Sequence, residues 1–154
     1  MHRSRIRLTA LLLAIAALGA LPAAHAALGD TLASVQADSQ RLKAATTRAQ
    51  PASGYAVQVL QLPEGGTVSE YLTPAGTVFA VRWLAPYKPD LGQLLGRYFA
   101  TYAGAPRSAG SDRSHLAIDA TDLVVRAGGR PRAFAGTAWV PSLVPAGIDP
   151  GVLP

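Results

Sequence analysis

The chain has 154 residues, 14 basic and nine acidic side chains, a formal charge of +5, three histidines and no cysteine. The lack of cysteine excludes disulfide staples, thiolate nucleophiles and cysteine-ligated zinc. The length suits one domain with its own core.

Met1–Arg7 carries Arg3, Arg5 and Arg7, Leu8–Leu21 is apolar, and Ala24-His25-Ala26 places small residues where a signal peptidase reads. This predicts a secretory signal over residues 1–26, cleaved after Ala26, and a single mature domain over 27–154. The apolar run is shorter than the roughly 20 residues of a spanning helix. It leads into Pro22 rather than a stop-transfer cluster, so no integral membrane protein is expected after cleavage. Three basic residues leave with the signal, so 11 basic face nine acidic ones and the mature charge is +2. That balance, with export, argues against a nucleic-acid partner. His2 and His25 also leave, and His115 is then the only histidine. A zinc site would need carboxylates almost alone, so neither a metal nor another cofactor is expected.

Leu28–Arg48 reads as a helix, with Leu28, Leu32, Val35, Leu42 and Ala45 at helical spacing. Gln50–Gly54 breaks the chain. Tyr55–Leu62, Thr67–Leu72 and Thr77–Leu84 read as three strands, joined by turns at Pro63–Gly66 and Thr73–Gly76. The third is apolar on both faces, which predicts a central strand covered on both sides. Asp90–Tyr102 reads as a second helix capped by Asp90, with Leu91, Leu94, Leu95, Tyr98, Phe99 and Tyr102 on one stripe. Gly104–Arg113 is a polar loop. Leu116–Arg126, open to an interruption near Ala120-Thr121, and Arg132–Val140 read as two further strands around a Gly128-Gly129 hairpin turn.

The expected fold class is α+β, in the order α-β-β-β-α-β-β. A mostly antiparallel five-stranded sheet carries two packed helices, followed by an extended, Pro-rich tail over 141–154. The tail holds four prolines, two glycines and one charge.

Several ordered pieces resemble one family. They are Glu70-Tyr71-Leu72, Gly76-Thr77-Val78-Phe79-Ala80-Val81-Arg82-Trp83, Pro86, Pro89-Asp90-Leu91, Leu94-Leu95-Gly96 and Tyr98-Phe99. Arg132-Ala133-Phe134-Ala135-Gly136, Ala138, Pro141 and Pro145-Ala146-Gly147 follow, with Leu28-Gly29 and Ser34-Val35 before them. Together they are similar to the exported proteobacterial family called domain of unknown function 2844, over nearly the whole mature chain. The resemblance implies a Gram-negative envelope or secreted location and no catalytic residue. Leu84-Ala85 departs from the polar residue and glycine expected there.

Glu70 and Arg82 are charges inside apolar alternations. In simple register across the Thr73–Gly76 turn, Glu70 lies opposite Phe79 and Arg82 opposite Thr67, which places the two charges on opposite faces. A buried Glu70 without a partner would be costly and hard to ionise. It reads either as a functional carboxylate or as an ordinary strand residue, partly exposed or bonded to backbone or tyrosine. Arg126, Arg130 and Arg132 flank the Gly128-Gly129 turn. They suit an anionic lipid headgroup or a solvated hairpin tip. Trp83, Tyr87, Tyr98, Phe99 and Tyr102 suit either an apolar ligand pocket or ordinary core. His115 lies near Ser111, Asp112 and Ser114, but neighbours in sequence do not make a triad.

No phosphate loop or paired-carboxylate motif is present, and no enzyme is expected. The chain reads as a periplasmic or secreted, noncatalytic protein acting by protein–protein interaction or assembly, through a sheet edge or the tail. The alternative is a carrier of a small apolar or lipid ligand.

Overall fold

The computed structural model describes residues 28–31, 40, 43, 45–52, 54–106 and 115–153. The expected signal over 1–26 lies outside them, as does most of the first expected helix.

The fold is α+β, built on an antiparallel sheet. Seven strands form it: β1 (Ala45–Ala52), β2 (Tyr55–Gln61), β3 (Thr67–Leu72), β4 (Val78–Ala85), β5 (His115–Asp119), β6 (Val124–Arg130) and β7 (Ala133–Trp139). Their spatial order is β1-β2-β3-β4-β7-β6-β5, so β4 is central. Between β4 and β5 lie α1 (Leu91–Leu95), a 3-10 turn (Gly96–Tyr98) and α2 (Phe99–Gly104). Asp90 caps α1 by accepting from the Gln93 N–H at 3.1 Å, which satisfies one of the orphan donors of the first turn.

Four expected elements change character. Ala45–Arg48, taken as the end of a helix, opens β1 instead. Its partner β2 supplies a ladder from Ala45↔Gln61 to Ala52↔Tyr55, and pairing outweighs weak helical spacing in a short segment. The expected strand Leu116–Arg126 is two strands, β5 and β6, parted at Ala120–Leu123. Gly128 and Gly129 are not a turn. They lie inside β6, opposite Ala135 and Phe134, and the chain reverses at Pro131-Arg132. Glycine is required at 129 because a Cβ there would fall 2.6 Å from the Phe134 ring. The sheet thus has seven strands where five were expected, and the second helix is interrupted at Gly96.

Alternation along the strands builds two cores. One face carries Leu60, Val68, Val81, Trp83, Val125, Ala138 and Ile118 against Leu91, Leu94 and Leu95 of α1. Leu28 joins this core; its N–H donates to the Leu94 carbonyl, the Gly29 N–H donates to the Val78 carbonyl of β4, and the Val78 N–H donates to the Asp30 carbonyl. The other face carries Tyr71, Phe79 and Ala80, packed against Leu143, Val144, Ile148 and Leu153 of the tail. A bulge between Tyr71 and Leu72 in the β3–β4 pairing makes this sorting possible. It sends Val78 to the first core and both Phe79 and Ala80 to the second. The cover required over the second face of β4 is therefore supplied in cis by the tail.

Candidate functional site

The tail-covered face is the most elaborated part of the sheet. Its floor is aromatic. The rings of Tyr55, Tyr71 and Phe79 meet one another at centroid separations of 5.9, 6.2 and 6.3 Å, tilted or edge-on as their quadrupoles favour. Trp139 borders the cluster from β7. Strand alternation puts these side chains together: Val57, Tyr71, Ala80 and Trp139 are successive partners across β2, β3, β4 and β7.

One row further along, Arg82 stands between Ser69 and Thr137. Its Nη1 donates to the Leu153 carbonyl at 2.7 Å. Burial raises the hydroxyl pKa of Tyr71 above its ordinary value, and the nearby Arg82 guanidinium and the Ser69 hydroxyl partly oppose the rise. A cation held among a tyrosine, a serine and a backbone carbonyl is well suited to gripping a polypeptide and has no obvious use as an acid or base.

Glu70 occupies the opposite face, in register with Gln58 and Val81, and is 1% exposed. It is not in simple register with Phe79, because the bulge shifts the pairing, yet it and Arg82 do point to opposite faces. Glu70 takes part in a polar interaction of its own, while its Oε2 accepts no hydrogen bond from the described residues. Trp83 is buried in the helix-side core with its ring over Gly136, and Tyr87 packs at the rim of that core. Burial, with the Glu64 carboxylate nearby, raises the Tyr87 hydroxyl. Tyr98 and Tyr102 join the same core, while Phe99 is exposed and stacks on Tyr102. Trp83, Tyr87, Tyr98 and Tyr102 therefore pack in or against the core, and Phe99 does not.

The three arginines are not gathered at one tip. Arg126 lies along β6 and is engaged by its own surroundings. It meets Asp119 at 2.5 Å, donates to the Ile118 and Val125 carbonyls at 3.0 and 3.1 Å, and sits 5.8 Å from the Trp139 ring centre. Arg130 and Arg132 are exposed at the β6–β7 turn, four and six residues further on. His115 is exposed at the start of β5, and Ser111, Asp112 and Ser114 lie outside the described residues. Among the described residues, no group of three or more His, Cys, Asp or Glu side chains is placed to hold a metal. No described helix is long and apolar enough to cross a membrane.

Sequence reasoning singled out Arg82 but not the ring cluster beside it. Tyr55, Tyr71, Phe79 and Trp139 lie on four different strands, and only the strand order brings them together. The available signal was the apolar character of both faces of β4, next to an apolar tail.

No curated protein and no solved structure matches the chain. A family model described as "Protein of unknown function (DUF2844)" matches residues 24–153. This span takes in every strand, both helices and the tail, and the chain therefore belongs to the DUF2844 family.

Proposed function

We propose that the mature chain, Ala27–Pro154, is an exported, noncatalytic envelope protein of the periplasm or cell exterior that works by protein–protein interaction or assembly. The observation that carries this reading is the open sheet. β1 and β5 stand at its two ends, and each pairs on one side only among the described strands. An edge strand offers backbone donors and acceptors to a further strand.

β5 is the better defined of the two edges. Leu116 and Ile118 face the helix-side core, and His115, Ala117 and Asp119 face the other side. A partner strand laid along β5 would place alternate apolar residues over Ile118 and extend that core by one strand. Arg126 is already engaged by Asp119 and the Ile118 carbonyl, while Arg130 and Arg132 are exposed at the β6–β7 turn.

The test is a crosslinked pull-down from a cell-envelope fraction with the folded mature chain. A single dominant partner supports the reading. Capture of lipid in native mass spectra, with no protein partner, would replace it with the carrier reading.

A further inference from the structure

Residues 141–153 cover the aromatic face without becoming part of the sheet. The chain leaves β7 at Val140, whose N–H donates to the Phe79 carbonyl at 3.0 Å. Beyond that point the backbone bonds of the described tail are local. Leu143 donates to Val140, Ile148 to Pro145 and Val152 to Asp149, in two 3-10 turns and one open turn. Asp149 also accepts from the Gly151 N–H. The attachment to the sheet consists of side chains: Leu153 buried, Leu143, Val144 and Ile148 half-buried. To these is added the hydrogen bond from Arg82 to the Leu153 carbonyl.

A bound peptide is held in this way. Apolar anchors fill an aromatic floor, and one guanidinium fixes a backbone carbonyl. Tyr71 and Phe79 belong to adjacent strands and their rings meet at 6.3 Å, so the sheet itself builds the floor. The tail is not extended throughout, as its prolines had suggested: Pro141 and Pro150 open its two 3-10 turns, where their fixed φ lowers the entropic cost of ordering the segment.

We propose that the Tyr55/Tyr71/Phe79/Trp139 face with Arg82 is a peptide-binding groove, closed in the single chain by its own tail, and that it also takes the tail of a second copy. This rests on the reading of the chain as an interaction or assembly protein. The structure supplies one segment known to fit the groove, and every copy carries it. Exchange leaves each groove filled by the same contacts, with Val140-Pro141 as the hinge, which is the logic of domain swapping. The tail is favoured in cis by its high local concentration, so exchange needs high protein concentration or a severed hinge.

The experiment uses the mature chain with a specific protease site inserted between Val140 and Pro141. After cleavage of the folded protein, a labelled synthetic peptide of residues 141–154, which keeps the Leu153 carbonyl an amide, is titrated and followed by anisotropy. The expected result is saturable exchange, weakened about tenfold or more by Arg82→Met, as for loss of one charge-assisted hydrogen bond, and abolished by Leu153→Asp in the peptide. Uncut chain, concentrated into the millimolar range that a tethered tail experiences, should form a reciprocally exchanged dimer in sedimentation. Failure of the peptide to exchange, or unfolding of the body when the tail leaves, would overturn the proposal by making the tail an integral piece of core. Peptide binding without any complex between copies would overturn the second copy as occupant. None of these outcomes touches the β5 edge, so the edge-pairing reading stands or falls separately.

Discussion

Replacing Gly136 by alanine tests the central packing of the sheet. Gly136 sits on β7 between its register partners Trp83 on β4 and Ala127 on β6. A Cβ at this position would fall 2.6 Å from Cε2 of Trp83 and 2.8 Å from Cβ of Ala127. Neither neighbour has room to retreat. Trp83 is 3% exposed and wedged in the helix-side core, and Ala127 is fixed by its own backbone. The β7 backbone is held on both sides, by ladders to β4 and to β6. Overpacking typically costs about 1–3 kcal/mol, and rigid partners on both sides put this site at the upper end, about 3 kcal/mol. For a domain of this size that is a drop in Tm of about 10 °C. Urea and thermal unfolding of the mature chain measure it. In the double variant Trp83→Leu/Gly136→Ala the added methyl occupies space the ring vacated. The two changes should therefore couple favourably, by about 1–3 kcal/mol in a double-mutant cycle. A Gly136→Ala protein within about 0.5 kcal/mol of the parent, or strictly additive effects, would refute the packing argument.

Three further outcomes are expected. Asp90→Ala should lose about 1 kcal/mol of stability in urea, because it removes the cap on the Gln93 N–H. Arg126→Ala should cost about 1 kcal/mol by losing two carbonyl hydrogen bonds and the Trp139 contact, whereas Asp119→Ala should change stability by less than about 0.5 kcal/mol, since that ion pair is exposed. The raised pKa of Tyr71 means the folded state holds the phenol proton more tightly than the unfolded state does. Its contribution is complete below the ordinary tyrosine value near 10 and is lost as pH rises through the folded value. Tyr71→Phe should therefore flatten the fall of stability with pH above about 10, read from urea midpoints across the alkaline range.

How far the fold was legible depended on whether the decisive information was local. The two-faced apolar pattern of residues 77–84 located the central strand, which is β4 of seven. The Asp90 cap and the Leu91, Leu94 and Leu95 stripe located the helix start, since capping and periodicity act within one turn. The Thr73–Gly76 turn is likewise local, and Gly76 closes it on the Thr73 carbonyl at 2.8 Å. Ala45–Arg48 was misread because its strand character comes from β2, not from its own residues. Gly128-Gly129 was misread because Gly129 answers to the Phe134 ring across the hairpin, a demand that looks in sequence like a turn. The aromatic groove was the least legible part. Its floor draws on β2, β3, β4 and β7, and its cover comes from 60 or more residues away in the chain for all but the β7 contribution. Arg82 stood out as a charge on an apolar strand, but nothing local indicated that its partner would be the carbonyl of Leu153.

The most direct measurement of the proposed function is photo-crosslinking in the cell from the β5 edge. A photoreactive residue replaces Ala117, which is exposed on β5, and in a control replaces Leu84, which is 55% exposed on the central strand β4. The account predicts one dominant protein adduct from position 117 and none of that mass from position 84. Folded protein that yields no adduct from position 117, or the same adducts from both positions, would contradict it.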